Sequence, residues 1–174
     1  MPADSLGWLC LLLFADGATF AFFTTFILLH YGHALPPWQV AVVGGLASAL
    51  GSTLQLVLLR WMLASSHPWM KRFVPSREKL EATLRQYPSA SFMALAVARA
   101  TPLPDAPLKL VAAVIEYPLV LYGLAIYLGS LPYYFALALV GSKVAIPTWL
   151  LVAAAAAIVA GVLIDRWRRS RRTA

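Results

Sequence analysis

Long apolar stretches separated by short polar ones dominate the chain, and their lengths predict membrane helices. Segments 38–63, 119–140 and 144–164 are each apolar over about the 20 residues that a helix needs to cross the hydrocarbon core. Two other apolar segments, 6–29 and 91–115, are interrupted near their middles. The pattern therefore predicts three spanning helices and two segments whose course depends on the interruptions.

The second interruption combines three prolines with three charges in an apolar setting. Each proline removes a backbone donor and biases the preceding residue away from the helical region, so the segment must open near its middle. Open backbone is tolerated at membrane depth only inside protein or beside water, and charges there pair or handle a charged ligand. We expect the functional site here, with the prolines as its structural motif. The residues concerned are Arg99, Pro102, Pro104, Asp105, Pro107 and Lys109.

The first interruption lies at Asp16-Gly17, and Asp16 is the only charge of segment 6–29. The segment either spans the membrane or folds back as a hairpin. Accordingly, Asp16 either faces the opposing broken segment or lies at the membrane interface. Both alternatives stay open at this point. In segment 119–140, Gly129 and Pro132 weaken the second half and predict a kink, and 141–143 is expected to form an exterior turn.

Composition indicates a membrane protein, and the distribution of charge predicts which segments lie in the cytoplasm. The chain is 61% hydrophobic and 12% charged, with a mean hydropathy of +0.75, which indicates an integral membrane protein. Basic residues concentrate in an amphipathic linker at 65–88 and in a tail at 165–174, and both are expected to be cytoplasmic. The net charge of +7 therefore reports topology and attraction to anionic headgroups, and binding of nucleic acid is not expected.

With the tail inside, both ends of the second broken segment lie on the cytoplasmic side, so it enters the membrane and returns. The spanning helices at 38–63 and 119–140 then run in opposite directions. We expect an all-α membrane protein, a single domain over 6–164. It is built as an inverted repeat of re-entrant hairpin plus transmembrane helix, with one more helix at the C-terminus.

Few residues favour chemistry of other kinds. Cys10 is the single cysteine, and His30 and His33 have no third ligand nearby, so neither a disulfide nor a metal or cofactor site is expected. The chain has no serine elbow and no acidic cluster for divalent phosphate chemistry, so an enzyme is not expected. Gln55 is interpreted as a hydrogen bond between helices, and the tyrosines of 119–140 as packing and interface residues.

Several of these stretches resemble the VTT domain, which defines the DedA and SNARE-associated Golgi protein family. They are 44–60, the basic linker, 92–110 with its Arg99-x-x-Pro102-x-Pro104 core, and Gly129-x-x-Pro132. The resemblance covers about residues 14–141. It implies two re-entrant hairpins that meet head to head and an activity that moves lipids between leaflets. Bacterial members are associated with recycling of undecaprenyl phosphate and depend on the proton gradient, whereas eukaryotic relatives resemble phospholipid scramblases.

The resemblance assigns Arg99 to the arginine that opens the family's second hairpin motif, and Asp16 to an acidic position of the first hairpin. Two positions depart from the pattern. Residues 23–25 lack a second acid, and Asp105 stands where many bacterial members have a second base. Proton coupling and the substrate therefore stay open.

For the candidate substrate-binding residues, two interpretations compete. Arg99 binds phosphate, or pairs structurally with Asp105 or Asp16. Asp105 neutralises Lys109 or Arg99, or accepts a proton. The resulting hypothesis is a lipid flippase or scramblase in which Arg99 and Lys109 attract a phosphate headgroup. A non-transporting membrane scaffold is the alternative. The Ala- and Arg-rich composition favours a bacterial inner membrane, and homo-oligomerisation is left open.

Overall fold

Helices form the described part of the chain, in which no strand occurs. The computed structural model describes residues 5–19, 23–65, 91–101 and 106–144, together with the isolated residues 147, 149, 153 and 156. The all-helical prediction is confirmed for these residues. The helices are α1 (Leu6–Ala18), α2 (Thr24–Ala34), α3 (Pro37–Ala64), α4 (Phe92–Ala100), α5 (Ala106–Val114) and α6 (Leu119–Lys143).

Two helices, α3 with 28 residues and α6 with 25, are long and apolar enough to cross a membrane. The bounds of α3 agree with the predicted segment to within one residue. It begins at Pro37, where a proline costs no hydrogen bond because the first helical N–H groups have no partner. Both helices carry large apolar side chains on their outward faces, such as Leu50 and Leu128.

Helix α6 continues beyond its predicted end. Residues 141–143 belong to the helix, so the predicted turn is wrong. Gly141 instead packs against the backbone of Leu29 on α2, and Lys143 lies in the last turn, where a positive charge suits the helix dipole. Pro132 lies inside α6, which continues on both sides of it.

The first apolar segment is divided into α1 and α2. Their 13 and 11 residues correspond to only about 20 and 17 Å, shorter than the roughly 30 Å hydrocarbon core. A single spanning helix over 6–29 is therefore wrong. The helix ends at Ala18, because Thr19 is extended, and not at Asp16-Gly17. His30 and His33 both belong to α2.

The second apolar segment is divided as the prolines predict. Helix α4 ends before the extended Thr101, and α5 begins at Ala106 with Pro107 in its first turn. Each has nine residues, or about 14 Å. Pro102, Pro104 and Asp105 lie outside the described residues, as do residues 66–90 of the linker, the tail and most of 144–164.

The short helices pack around the two long ones. Helices α3 and α6 contact each other, α1 and α5 pack on α3, and α2 and α4 pack on α6. Each long helix thus receives one short helix from each broken segment. Close approach depends on glycine, because a Cβ on Gly51 would collide with the Phe14 carbonyl and one on Gly129 with the Ala96 carbonyl. Gly51 and Gly129 are therefore positions at which two helices touch directly.

Candidate polar site between the broken segments

The side chain of Arg99 joins α4 to both long helices. Its Nε donates to Ser130 Oγ at 3.1 Å, and its Nη2 donates to Ser48 Oγ at 2.6 Å and to the Tyr134 hydroxyl at 2.7 Å. Its guanidinium carbon also lies 5.6 Å from the centre of the Tyr134 ring, within cation–π range. All three hydroxyl-bearing residues are fully buried, whereas Arg99 is half-buried.

Local packing explains this position. The contact between Gly129 and Ala96 brings α4 against α6, and Arg99 follows Ala96 by three residues on the same face. Ser130 and Tyr134 are four residues apart and likewise share a face of α6. The hydroxyl of Ser130 donates to the carbonyl of Ile126 at 2.7 Å, so its lone pairs remain to accept from Arg99.

Lys109 is the second buried cation of the site. It lies on α5, is 4% exposed, and its Nζ donates to Gln55 Oε1 at 2.9 Å. The predicted role of Gln55 as a hydrogen bond between helices is confirmed by this contact. Arg99 and Lys109 therefore both bond to side chains of α3, one from each arm of the second broken segment.

Asp16 contributes a negative charge from the first broken segment. It is 7% exposed, and its carboxylate accepts from the backbone N–H of Phe23 at 3.1 Å and from the Thr24 hydroxyl. Phe23 precedes α2 and Thr24 begins it, so Asp16 links α1 to the start of α2 as a capping carboxylate does. Arg99 and Lys109 both lie within electrostatic range of this carboxylate. The two alternatives for Asp16, facing the opposing segment or lying at the membrane interface, both stay predictions.

One face of α3 connects these charges. Ser48, Ser52 and Gln55 recur at spacings of four and three, which sets them in a row along the helix. Arg99 contacts one end of the row and Lys109 the other. The site is thus a buried polar row flanked by two cations and one carboxylate.

The structure brings together some of the predicted residues. Arg99, Lys109 and Asp16 belong to the site, whereas Asp105, Pro102 and Pro104 lie outside the described residues, so the proposed pairing of Asp105 stays a prediction. Gly129 allows α4 to pack closely on α6, Pro107 lies in α5 and Pro132 lies in α6. Among the described residues, no group of three or more His, Cys, Asp or Glu side chains comes together as a metal site would require.

The three hydroxyl groups that accept hydrogen bonds from Arg99 are not among the site residues predicted from the sequence. Tyr134 was expected to serve packing, and it is indeed fully buried, but its hydroxyl also accepts from Arg99. The available signal was the spacing of four between Ser130 and Tyr134 in an otherwise apolar helix. Arg60, a second missed contact, donates to the carbonyls of Ala112 and Tyr117 and holds the end of α5.

Comparison with known proteins gave one result. The family model of the VTT domain matches residues 11–143, from within α1 to the end of α6. No curated protein and no solved structure matches the chain.

Proposed function

The chain belongs to the VTT domain family, and we propose that it is an integral membrane transporter of the DedA type that moves a phosphate-bearing lipid between leaflets. Family membership and two helices of spanning length and hydropathy indicate a membrane protein. The observation that carries the transport proposal is the pair of cations, Arg99 and Lys109, on the polar row of α3 between two broken segments.

The topology we propose is an inverted repeat of two re-entrant hairpins, α1–α2 and α4–α5, each followed by a spanning helix. Two features support it. All four short helices are shorter than the hydrocarbon core, so none can cross it alone. The contacts between short and long helices across the two units also correspond in pairs, since α1 on α3 corresponds to α4 on α6, and α2 on α6 to α5 on α3. The basic tail then lies in the cytoplasm, in a multi-pass protein of the bacterial inner membrane.

The site would lower the cost of moving a headgroup through hydrocarbon. A phosphate that enters the membrane loses its hydration, and fixed protein charges and hydroxyls can replace part of it. In this mechanism Arg99 and Lys109 hold the phosphate oxygens while the acyl or prenyl chains stay in lipid beside α6. Asp16 offsets one of the two positive charges and so keeps the headgroup from being held too tightly to leave.

Leaflet exchange in proteoliposomes tests the proposal. A labelled phospholipid and a labelled polyprenyl phosphate would be followed in vesicles with the full chain and in protein-free vesicles, with and without an imposed proton gradient. We expect at least one of the two lipids to exchange faster than in protein-free vesicles. A dependence on the gradient would identify coupled transport, and independence would identify passive scrambling. Protein-free rates for both lipids, with verified insertion, would contradict the proposal.

One observation favours a second candidate, a membrane scaffold without transport. Arg99 already has three hydroxyl partners, which suits a residue that fastens helices together. The scaffold candidate expects that replacing Arg99, Lys109 and Asp16 together leaves the cellular phenotype intact as long as the protein accumulates in the membrane. Under the transport proposal, cells with the same variant should instead show the phenotype of cells from which the protein has been deleted.

A further inference from the structure

The polar row of α3 holds two buried polar atoms whose partners are missing from the described part of the chain. They are Ser52 Oγ and Gln55 Nε2. The residues themselves are 0% and 4% exposed, so bulk water does not satisfy them. Buried polar groups in proteins are almost always hydrogen-bonded, and an exception calls for a ligand or an ordered water at that point.

The contact with Lys109 fixes which way the Gln55 amide faces. An ammonium group only donates, so the oxygen of the amide must be the atom that faces Lys109, as the 2.9 Å contact has it. The NH₂ group therefore turns away from Lys109 with two N–H donors. Ser52 lies one turn earlier on the same face, between Gln55 and the Ser48 hydroxyl that Arg99 contacts.

We propose that Ser52 and Gln55 donate hydrogen bonds to the oxygens of a phosphate group held between Arg99 and Lys109. The inference deepens the proposed function and rests on it for the lipid that carries the phosphate. It makes Ser52 and Gln55 binding residues of the site in addition to the two cations.

The charges around the row favour an anion over a cation. Arg99 and Lys109 contribute two positive charges and Asp16, within electrostatic range of both, contributes one negative charge. The described charges of the site therefore sum to one positive charge. The amide NH₂ donates only, and the serine hydroxyl donates readily, so both suit phosphate oxygens, which only accept when ionised.

Two substitutions separate a ligand role from a structural one. Gln55→Glu keeps an oxygen for Lys109 but replaces the NH₂ donor by a negatively charged acceptor. A purely structural Gln55, whose task is to hold Lys109, would keep its stability in this variant. Because the added charge also opposes an anion, Ser52→Ala, which changes no charge, is the stricter test of a ligand role. Ser52→Ala removes the hydroxyl at almost constant volume. Thr53→Val is the matched control, because Thr53 is the next residue of α3, faces Gly123 on α6 and uses its hydroxyl on the Ala49 carbonyl.

The test is a titration of the full chain in detergent with dodecyl phosphate, followed by calorimetry, with dodecanol as the uncharged counterpart. We expect each of the two variants to bind dodecyl phosphate about tenfold more weakly than wild type or worse, since each loses a hydrogen bond to a charged group. Thr53→Val should bind within about twofold of wild type, since it keeps every phosphate donor. Thermal unfolding of all variants controls for folding. Unchanged affinity in folded Ser52→Ala and Gln55→Glu, or equally tight binding of dodecanol, would overturn the inference.

Inorganic phosphate distinguishes the two sources of the anion. If it displaces dodecyl phosphate, and does so less well in the two variants, the site takes phosphate as such. If it does not compete while dodecyl phosphate binding still depends on Ser52 and Gln55, the site takes phosphate only from a lipid. Variant-sensitive binding combined with leaflet exchange at the protein-free rate would uphold this inference and contradict the proposed transport.

Discussion

The guanidinium of Arg99 donates a 2.6 Å hydrogen bond to the hydroxyl of Ser48, which joins α4 to α3 across 51 residues of sequence. The same guanidinium reaches Ser130 and Tyr134 on α6. One side chain therefore links both long helices at the point where the second apolar segment opens. Because Arg99 both fastens helices and offers a positive charge, experiments on the site must measure stability and transport separately.

Removing the hydroxyl of Tyr134 tests how far Arg99 stabilises the helix packing, because the charge of Arg99 is kept. Tyr134→Phe keeps the ring beside the guanidinium but removes an acceptor from a charged donor. We expect the free energy of unfolding to fall by about 1.5–3 kcal/mol, measured by denaturant or thermal unfolding in detergent. The control is Tyr127→Phe on the same helix, where the hydroxyl has no hydrogen-bond partner among the described residues. Equal stability losses in the two variants would refute the assigned role of Tyr134.

The contact between α1 and α3 depends on the absence of a side chain at position 51. In Gly51→Ala the new methyl group would collide with the carbonyl of Phe14, and we expect a loss of about 1–3 kcal/mol as the helices move apart. Gly7→Ala on α1 is the control, because its nearest neighbour would lie 3.9 Å away. The melting temperature in detergent should fall for the first variant and not for the second. A tolerated Gly51→Ala would show that the two backbones are not in contact.

Two substitutions distinguish the structural role of Asp16, which is to accept hydrogen bonds at the start of α2, from its electrostatic effect on the two cations. Asp16→Asn keeps an oxygen that can accept from Phe23 and should retain stability, whereas Asp16→Ala should lose about 1–2 kcal/mol, as loss of a helix cap does. The asparagine variant leaves both cations without this negative charge. It should therefore bind dodecyl phosphate more tightly and exchange labelled lipid more slowly than wild type. Unchanged binding and exchange in Asp16→Asn would restrict Asp16 to its structural role.

Much of the fold could be predicted from the sequence because the strongest constraints are local. Prolines between Arg99 and Lys109 open that segment whatever surrounds it, and the apolar run after Pro37 defines α3. The predicted turn at 141–143 is wrong for a related reason. A glycine indicates a turn only when its backbone freedom is used, and Gly141 instead serves a close contact with α2.

The site was predictable in its charges and not in its partners. Arg99, Lys109 and Asp16 stand out because charges are rare in apolar segments. Tyr134 and Ser130 do not, since buried tyrosine and serine are common packing residues of helices. The link from Asp16 to the start of α2 is also absent from the sequence pattern, because the carboxylate bonds to residues seven and eight positions later, where another helix begins. Such contacts depend on how helices meet, which no local pattern contains.

The most direct test of the transport account is the rate of leaflet exchange in proteoliposomes with Arg99→Ala compared with wild type. Met93→Ala is the matched control, since Met93 lies on the same helix with its side chain 66% exposed. The account predicts that exchange of the phosphate-bearing lipid falls to the protein-free rate in Arg99→Ala, with the protein still inserted and folded, and stays at the wild-type rate in Met93→Ala. Wild-type exchange by a folded Arg99→Ala protein would contradict it.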